Sequence, residues 1–221
     1  MSKRTELKLE NLFSEAVNFV KQFEETPCPE LAGVTDGKAI GTFVEHKFKD
    51  YLSERYFNLE GNSAHGVDLS NPALNTDIKA TYIKQPQSSC PYKSASQKIF
   101  GLGYNLIVFV YDRVESSRDH SITIINVTFI SANKTGDYTL TTRLQEMIKD
   151  KCSVEDIAAY FADRCLPGDD ITYEALAKKV LDEGVEQGFL TISNALQWRL
   201  QYKRVIELSN SQPGIKNYDK N

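Results

Sequence analysis

Apolar positions near the start of the chain recur at helical spacing. Leu9, Leu12, Phe13, Ala16, Val17 and Val20 predict an amphipathic helix within residues 7–23, ended by "TPCPE", because proline cannot continue a helix. A loop holding Gly33, Gly37 and Gly41 is expected next. It leads into "KAIGTFVEHKFKDYLSERYF", where Ile40, Phe43, Val44, Phe48 and Leu52 form a second helical stripe. The period then changes. "TDIKATYI", "NLIVFVYD" and "SITIINVTFIS" are rich in β-branched and aromatic residues and are bounded by turn-formers or polar clusters, which predicts strands. The middle one is apolar almost throughout, as a central strand covered on both faces should be. Between the first two, "YKSASQKIFGLGY" predicts a short helix ended by Gly101 or Gly103. Beyond Thr139 the pattern is helical again in "TTRLQEMIKD", "SVEDIAAYFADRC" and "TYEALAKKVLDEGVEQ". A last helix is expected in "SNALQWRLQYKRVIEL", with Ser193 as N-cap, and the tail "SNSQPGIKNYDKN" reads as frayed.

These elements predict an α/β (α+β) domain, with a central mixed β-sheet flanked by helices and a helical C-terminal half. The expected organisation is a core over residues 1–135, a helical region over 136–208 packed on it, and a flexible tail over 209–221. With 221 residues at 41% hydrophobic content, the chain can bury a sizeable core. The longest apolar run, "NLIVFVY", is strand-sized and far short of the roughly 20 residues a membrane span needs. The charged start "MSKRTELKLENLF" lacks the apolar centre of a signal peptide, so a cytoplasmic protein is expected. Cys28, Cys90, Cys152 and Cys165 show no CxxC or Cys/His ligand spacing, which argues against structural zinc and a disulfide framework. Nor do His46, His65 and His120 form an arrangement suited to a zinc hydrolase. The net charge of −4 means that a nucleic-acid partner would need positive charge gathered locally.

Chemistry concentrates in "GVDLSNPALNTDIKATYIKQPQSSCP". Acid-x-lysine triplets in helices, such as "ELK" and "EHK", spread their charges to different sides, whereas "DIK" lies in a strand, where positions two apart share a face. Asp77, Lys79 and Thr81 are therefore expected to project together, with Ile78, Ala80 and Tyr82 facing the other way. Asp68 supplies a second carboxylate across the "NPALN" turn. Two converging carboxylates repel unless a proton or a divalent cation intervenes. Mg²⁺ suits them, taking one or two carboxylates and keeping waters or substrate phosphates in its shell. A lysine beside it can orient the attacking water or neutralise charge on a phosphate, so the trio fits phosphodiester hydrolysis. The plain alternative is an edge-strand ion pair worth under about 1 kcal/mol, with Asp68 as an ordinary turn acid.

Asp68, a short spacer and Asp77-Ile78-Lys79 on a strand resemble the PD-(D/E)xK nuclease superfamily, and the size and downstream composition look most like a type II restriction endonuclease. The resemblance covers residues 39 to about 113; Val67 stands where many members have proline. It implies a restriction-endonuclease-like fold in a bacterial cytoplasmic enzyme, with Asp68, Asp77 and the backbone carbonyl of Ile78 binding Mg²⁺ and Lys79 positioning water. Glu45 sits on a helix like the acidic helix that many members place beside the site. Its carboxylate is expected either to touch the metal shell or to face solvent. Cutting both strands of double-stranded DNA with one site per chain implies a homodimer on a palindromic sequence.

From Ala80 to Lys98 there is no Asp or Glu, in a chain with more acids than bases. Lys84, Lys93 and Lys98 make this window locally positive, and Gln85, Gln87, Ser88, Ser89 and Gln97 carry groups that read base edges or hold phosphates. It reads as a recognition loop, or else as a solvated surface loop. A second basic cluster, "QWRLQYKR", would set Arg199 and Lys203 one helical turn apart for phosphate contacts. The same region has a faint helix-turn-helix cadence, which keeps a non-catalytic DNA-binding regulator in view beside a repair or structure-specific nuclease.

Overall fold

The computed structural model describes residues 4–24, 28–31, 34, 36–60, 66–89, 94–115, 120–193, 199–208 and 212–220. In chain order the elements are β1 (Thr5–Glu6), α1 (Leu9–Glu24), α2 (Gly37–Arg55), β2 (Tyr56–Phe57), β3 (Thr76–Tyr82), β4 (Gln87–Ser89), α3 (Ala95–Phe100), β5 (Asn105–Glu115) and β6 (His120–Ile130). Then follow α4 (Tyr138–Lys149), α5 (Val154–Asp163), α6 (Asp170–Glu183), β7 (Thr191–Ile192), β8 (Arg199–Gln201), α7 (Lys203–Ile206) and β9 (Ile215–Asp219). Among these residues, no helix is long and apolar enough to cross a membrane.

The main sheet has the order β3-β5-β6-β9, with β3 parallel to β5 and the other pairs antiparallel, so the fold is mixed α+β as its sequence predicts. β5 explains the architecture. Its Ile107 and Phe109 enter a core with α1 and α2, where Phe19, Phe48 and Phe109 meet at ring distances of 4.9–5.5 Å. Its Leu106, Val108 and Val110 enter a second core with Leu190, Ile192, Leu200 and Tyr202 on the opposite face. A strand buried on both faces must be apolar along its covered length, and this one is from Leu106 to Val110. A third core joins α3 to α4, α5 and α6 through Ile99, Leu144, Ile157, Phe161 and Val180.

Three expectations need correction. Gly37 and Gly41 lie inside α2 rather than in a loop; the helix starts behind Asp36, whose carboxylate accepts the Lys38 N–H at 3.0 Å. Of the helix expected over residues 193–208, residues 194–198 lie outside the described residues, and the rest forms strand β8 and the short α7. Leu200 and Tyr202 are buried while Gln201 between them is exposed, a period of two that wins over the helical reading. Among the described residues no helix-turn-helix is formed, because β7 and β8 follow α6 where a recognition helix would have to lie. Finally, the tail carries β9, which extends the main sheet along β6 and buries Ile215 and Asn217.

Candidate active site

The turn after Asp68 sets the site. Asn71 accepts the Ala73 N–H through Oδ1 at 2.9 Å, and Leu69 and Thr76 exchange backbone hydrogen bonds at 2.9 and 3.2 Å. This antiparallel bridge folds residue 68 back against residue 77. The Asp68 and Asp77 carboxyls hydrogen-bond to each other. Asp68 Oδ2 also accepts the Ile78 N–H at 3.0 Å, and its Oδ1 lies 3.3 Å from Lys49 Nζ on α2. Lys79 Nζ lies 2.8 Å from Asp77 Oδ2, so the two share a face as strand geometry requires.

Two carboxyls in contact split their proton affinities. Burial raises Asp77, which is 3% exposed, to about 6, and the bond to Asp68 works in the same direction against Lys79. Burial would also raise Asp68, but the hydrogen bonds from Asp77 and Ile78, with Lys49 close by, outweigh it and hold that carboxyl below its usual range. The more buried partner thus has the higher proton affinity. Burial opposes the charge on Lys79, yet Asp77, Glu45 and Asp68 together keep its ammonium above the usual value. Glu45 faces this cluster from α2. Burial raises it to about 7 against the pull of Lys79, and the Ala80 backbone also hydrogen-bonds it.

β3 is the edge strand here. Because the Ile78 N–H points away from β5 toward Asp68, the carbonyl of the same residue points to that open edge too. Two carboxylates and a peptide carbonyl form an oxygen donor set that fits a hard divalent cation keeping several waters. The ion would take the place of the shared proton. Among the described residues, no three His, Cys, Asp or Glu side chains are gathered closely enough to hold a metal ion by themselves.

A cleft of about 580 Å³ runs from this cluster along β3. Lys38, Gly41, Thr42 and Glu45 of α2 form one wall; Gln87, Ser88, Ser89 and Arg199 form the other; Lys79 to Tyr82 make the floor. Two stretches far apart in sequence meet in the second wall, because β4 pairs antiparallel with β8, Ser89 opposite Arg199. The pairing is tied by the Tyr202 N–H to the Pro86 carbonyl at 2.8 Å and by Ser88 Oγ to the Tyr202 hydroxyl at 2.5 Å. Thr81 fastens this wall to the floor, its Oγ1 accepting the Gln87 N–H at 2.8 Å. Gln85 also lines the cleft, and Lys84 lies 5.8 Å from the centre of the Tyr82 ring.

Other expected DNA contacts are placed elsewhere. Gln97 is used in α3, accepting the Ser94 N–H and donating to the Leu102 carbonyl, each at 3.3 Å. Lys98 is 6% exposed beside Asp137, so burial lowers its pKa while Asp137 opposes the change. Lys203, on α7 rather than one turn from Arg199, pairs with Glu207 at 3.8 Å. Lys93 lies outside the described residues. Lys49 is the neighbour of the carboxylates that sequence reasoning missed. Its position four residues after Glu45 on a helix was the available signal.

A solved structure with a significant match was not found. The family model described as "Type II restriction enzyme NspV" matches residues 6–217. A protein of that name from Nostoc sp. is 47% identical over 213 residues, covering 96% of each chain. The match runs from β1 through β9 and so takes in the carboxylate cluster and both walls of the cleft. On this footing the chain belongs to the NspV family of type II restriction enzymes, which are site-specific deoxyribonucleases.

Proposed function

We propose that this enzyme hydrolyses phosphodiester bonds of double-stranded DNA at a short palindromic sequence with Mg²⁺, using Asp68, Asp77 and Lys79. The observation that carries the reading is the paired carboxyl cluster, with Lys79 2.8 Å from Asp77, at one end of a cleft walled by β4 and β8. Asp68, Asp77 and the Ile78 carbonyl would hold the ion. When bound, it supplies charge to offset the phosphate and lowers the pKa of a water. Lys79 orients the water and meets charge developing on the phosphate, and Asp77 fixes the lysine in that position. Glu45 borders the cluster and adds a carboxylate to the metal's surroundings. Lys49 holds Asp68 in register.

Gln85, Gln87, Ser88 and Ser89, opposite the cut phosphate, would read base edges, with Lys84 and Arg199 as phosphate partners. Region 136–208 then serves to carry β7 and β8, which complete that wall, and does not act as a separate reader. Incubating the purified protein with a mixed-sequence plasmid and Mg²⁺ tests the reading. Discrete fragments are expected, EDTA should prevent them, and Asp77→Ala or Lys79→Ala should bind DNA in Ca²⁺ yet fail to cut. Cutting by either variant at the parental rate would remove the residue from the mechanism.

A further inference from the structure

At the end of the cleft away from the carboxyls, Arg113 on β5 lies with its guanidinium carbon 5.1 Å from the centre of the Tyr82 ring. Tyr82 in turn stacks on Tyr111, with ring centres 5.8 Å apart and planes at 27°. The first residue of α2 lies nearby, since a Cβ built on Gly37 would come 3.9 Å from Arg113 Nη2. The Tyr82 ring thus backs the guanidinium. Yet its Nε is buried without a hydrogen-bond partner, and no carboxylate among the described residues forms an ion pair with it. Arginine cannot relieve this by losing a proton. A guanidinium that borders an open cleft with no carboxylate against it is a ready partner for an anion from outside.

The site already described says which anion. Lys79 and Tyr82 project from opposite faces of β3 but both border this cleft, about 10 Å apart along the strand. That is too far for Arg113 to share the phosphate beside Lys79 and close enough for a neighbouring one. The floor around Asp77 and Lys79 must follow the sugar–phosphate backbone if those residues act on a phosphodiester. Base edges face the β4 wall instead. A planar guanidinium suits bidentate contact with a phosphate, and the tyrosine face fixes the plane of the fork. We propose that Arg113 grips a backbone phosphate adjacent to the cleaved one and so sets the register of the DNA strand over Asp77 and Lys79. The assignment rests on the nuclease reading above.

The test is fluorescence anisotropy with Ca²⁺ in place of Mg²⁺, on a duplex carrying a cleavage site mapped from the plasmid fragments and on a random duplex, over a range of salt. Arg113→Met keeps an apolar stem against Tyr82 and removes the charge. It should weaken binding to both duplexes by about tenfold and lower the slope of log K against log salt by about 0.9, the value of one phosphate contact. The ratio of the two affinities should not move, and thermal melting should match the parent. Arg113→Lys should keep the slope and lose affinity only a few-fold, since it retains charge without the fork. Where the methionine variant does not fold, Arg113→Gln carries the same comparison. An unchanged slope in the neutral variant overturns the assignment, and so does a loss confined to the specific duplex, which would make Arg113 a base reader. A parent protein that neither binds nor cuts duplex DNA would instead sink the nuclease reading, whereas a binding parent matched by its neutral variant sinks only the role of Arg113.

Discussion

Burial pushes Asp77 up to about 6 and Glu45 up to about 7, while the hydrogen bonds on Asp68 keep it ionised. A cation must displace the proton on Asp77, so its affinity should rise with pH through about 6 to 7 and level off above. Calorimetric titration of Ca²⁺ at pH 5.5 and pH 8 should show binding about fourfold weaker at the lower value, by the ordinary linkage of one proton to one site. Folding stability runs the other way without a cation. A carboxyl raised on folding stabilises fully below its unfolded pKa, and that contribution is lost as pH climbs through the folded value. For Asp77, about two units of difference amount to roughly 2–3 kcal/mol at alkaline pH. Asp77→Asn, which cannot ionise, should therefore melt higher than the parent at pH 8 in EDTA and gain nothing from added Ca²⁺. If it melts lower there, the carboxyl is not under the strain that its burial implies.

At the level of elements, two glycines predict opposite outcomes. Gly41 lies inside α2 where the helix crosses β3, and a Cβ there would meet the Ala80 carbonyl at 3.5 Å, an ordinary contact. Gly41→Ala should raise stability by about 0.5–1 kcal/mol through helix propensity. Gly188 abuts the backbone of Gly136, where a Cβ would sit 2.3 Å from its carbonyl carbon. Gly188→Ala must push apart the segment that leads from the helical layer into β7, at a cost of about 1–3 kcal/mol or more. Urea denaturation of both variants checks the contrast. What the sequence disclosed follows the same division. Elements with a long, strong period (α1, α2, β3, β6 and the helices from α4 to α6) were legible because one face of each is buried, and β5 because its apolar run is buried on both. β4 is three residues of Gln and Ser and has no apolar period to read. β8 has one, but it alternates over so few positions that neighbouring basic residues suggested a helix. Asp77 and Lys79 were legible because strand geometry is local. Lys49 and the β4–β8 wall depend on contacts across the fold, which no local spacing encodes.

For the whole molecule, the decisive quantity is the number of sites per assembly. One 25.0 kDa chain carries one carboxyl cluster, and the two strands of a duplex run in opposite directions. A single site can follow one strand polarity at a time, so a monomer would nick, dissociate and rebind in the reverse orientation. A two-fold dimer places both clusters correctly at once, provided that the DNA sequence shares the two-fold axis. The chain is acidic overall, with a net charge of −4, so two copies gain little from long-range attraction to DNA and must rely on the cleft itself. Sedimentation should accordingly show a species of about 50 kDa, twice the 25.0 kDa chain. Above its dissociation concentration, supercoiled plasmid should pass to linear form with little nicked circle accumulating. Mixing the parent with excess Asp77→Ala should reverse that pattern, since a heterodimer has one competent site and leaves a nick. A stable 25 kDa monomer that accumulates nicked circles, with no change on mixing, would reject the dimer and the palindromic target together, and would make the enzyme a strand-by-strand cutter.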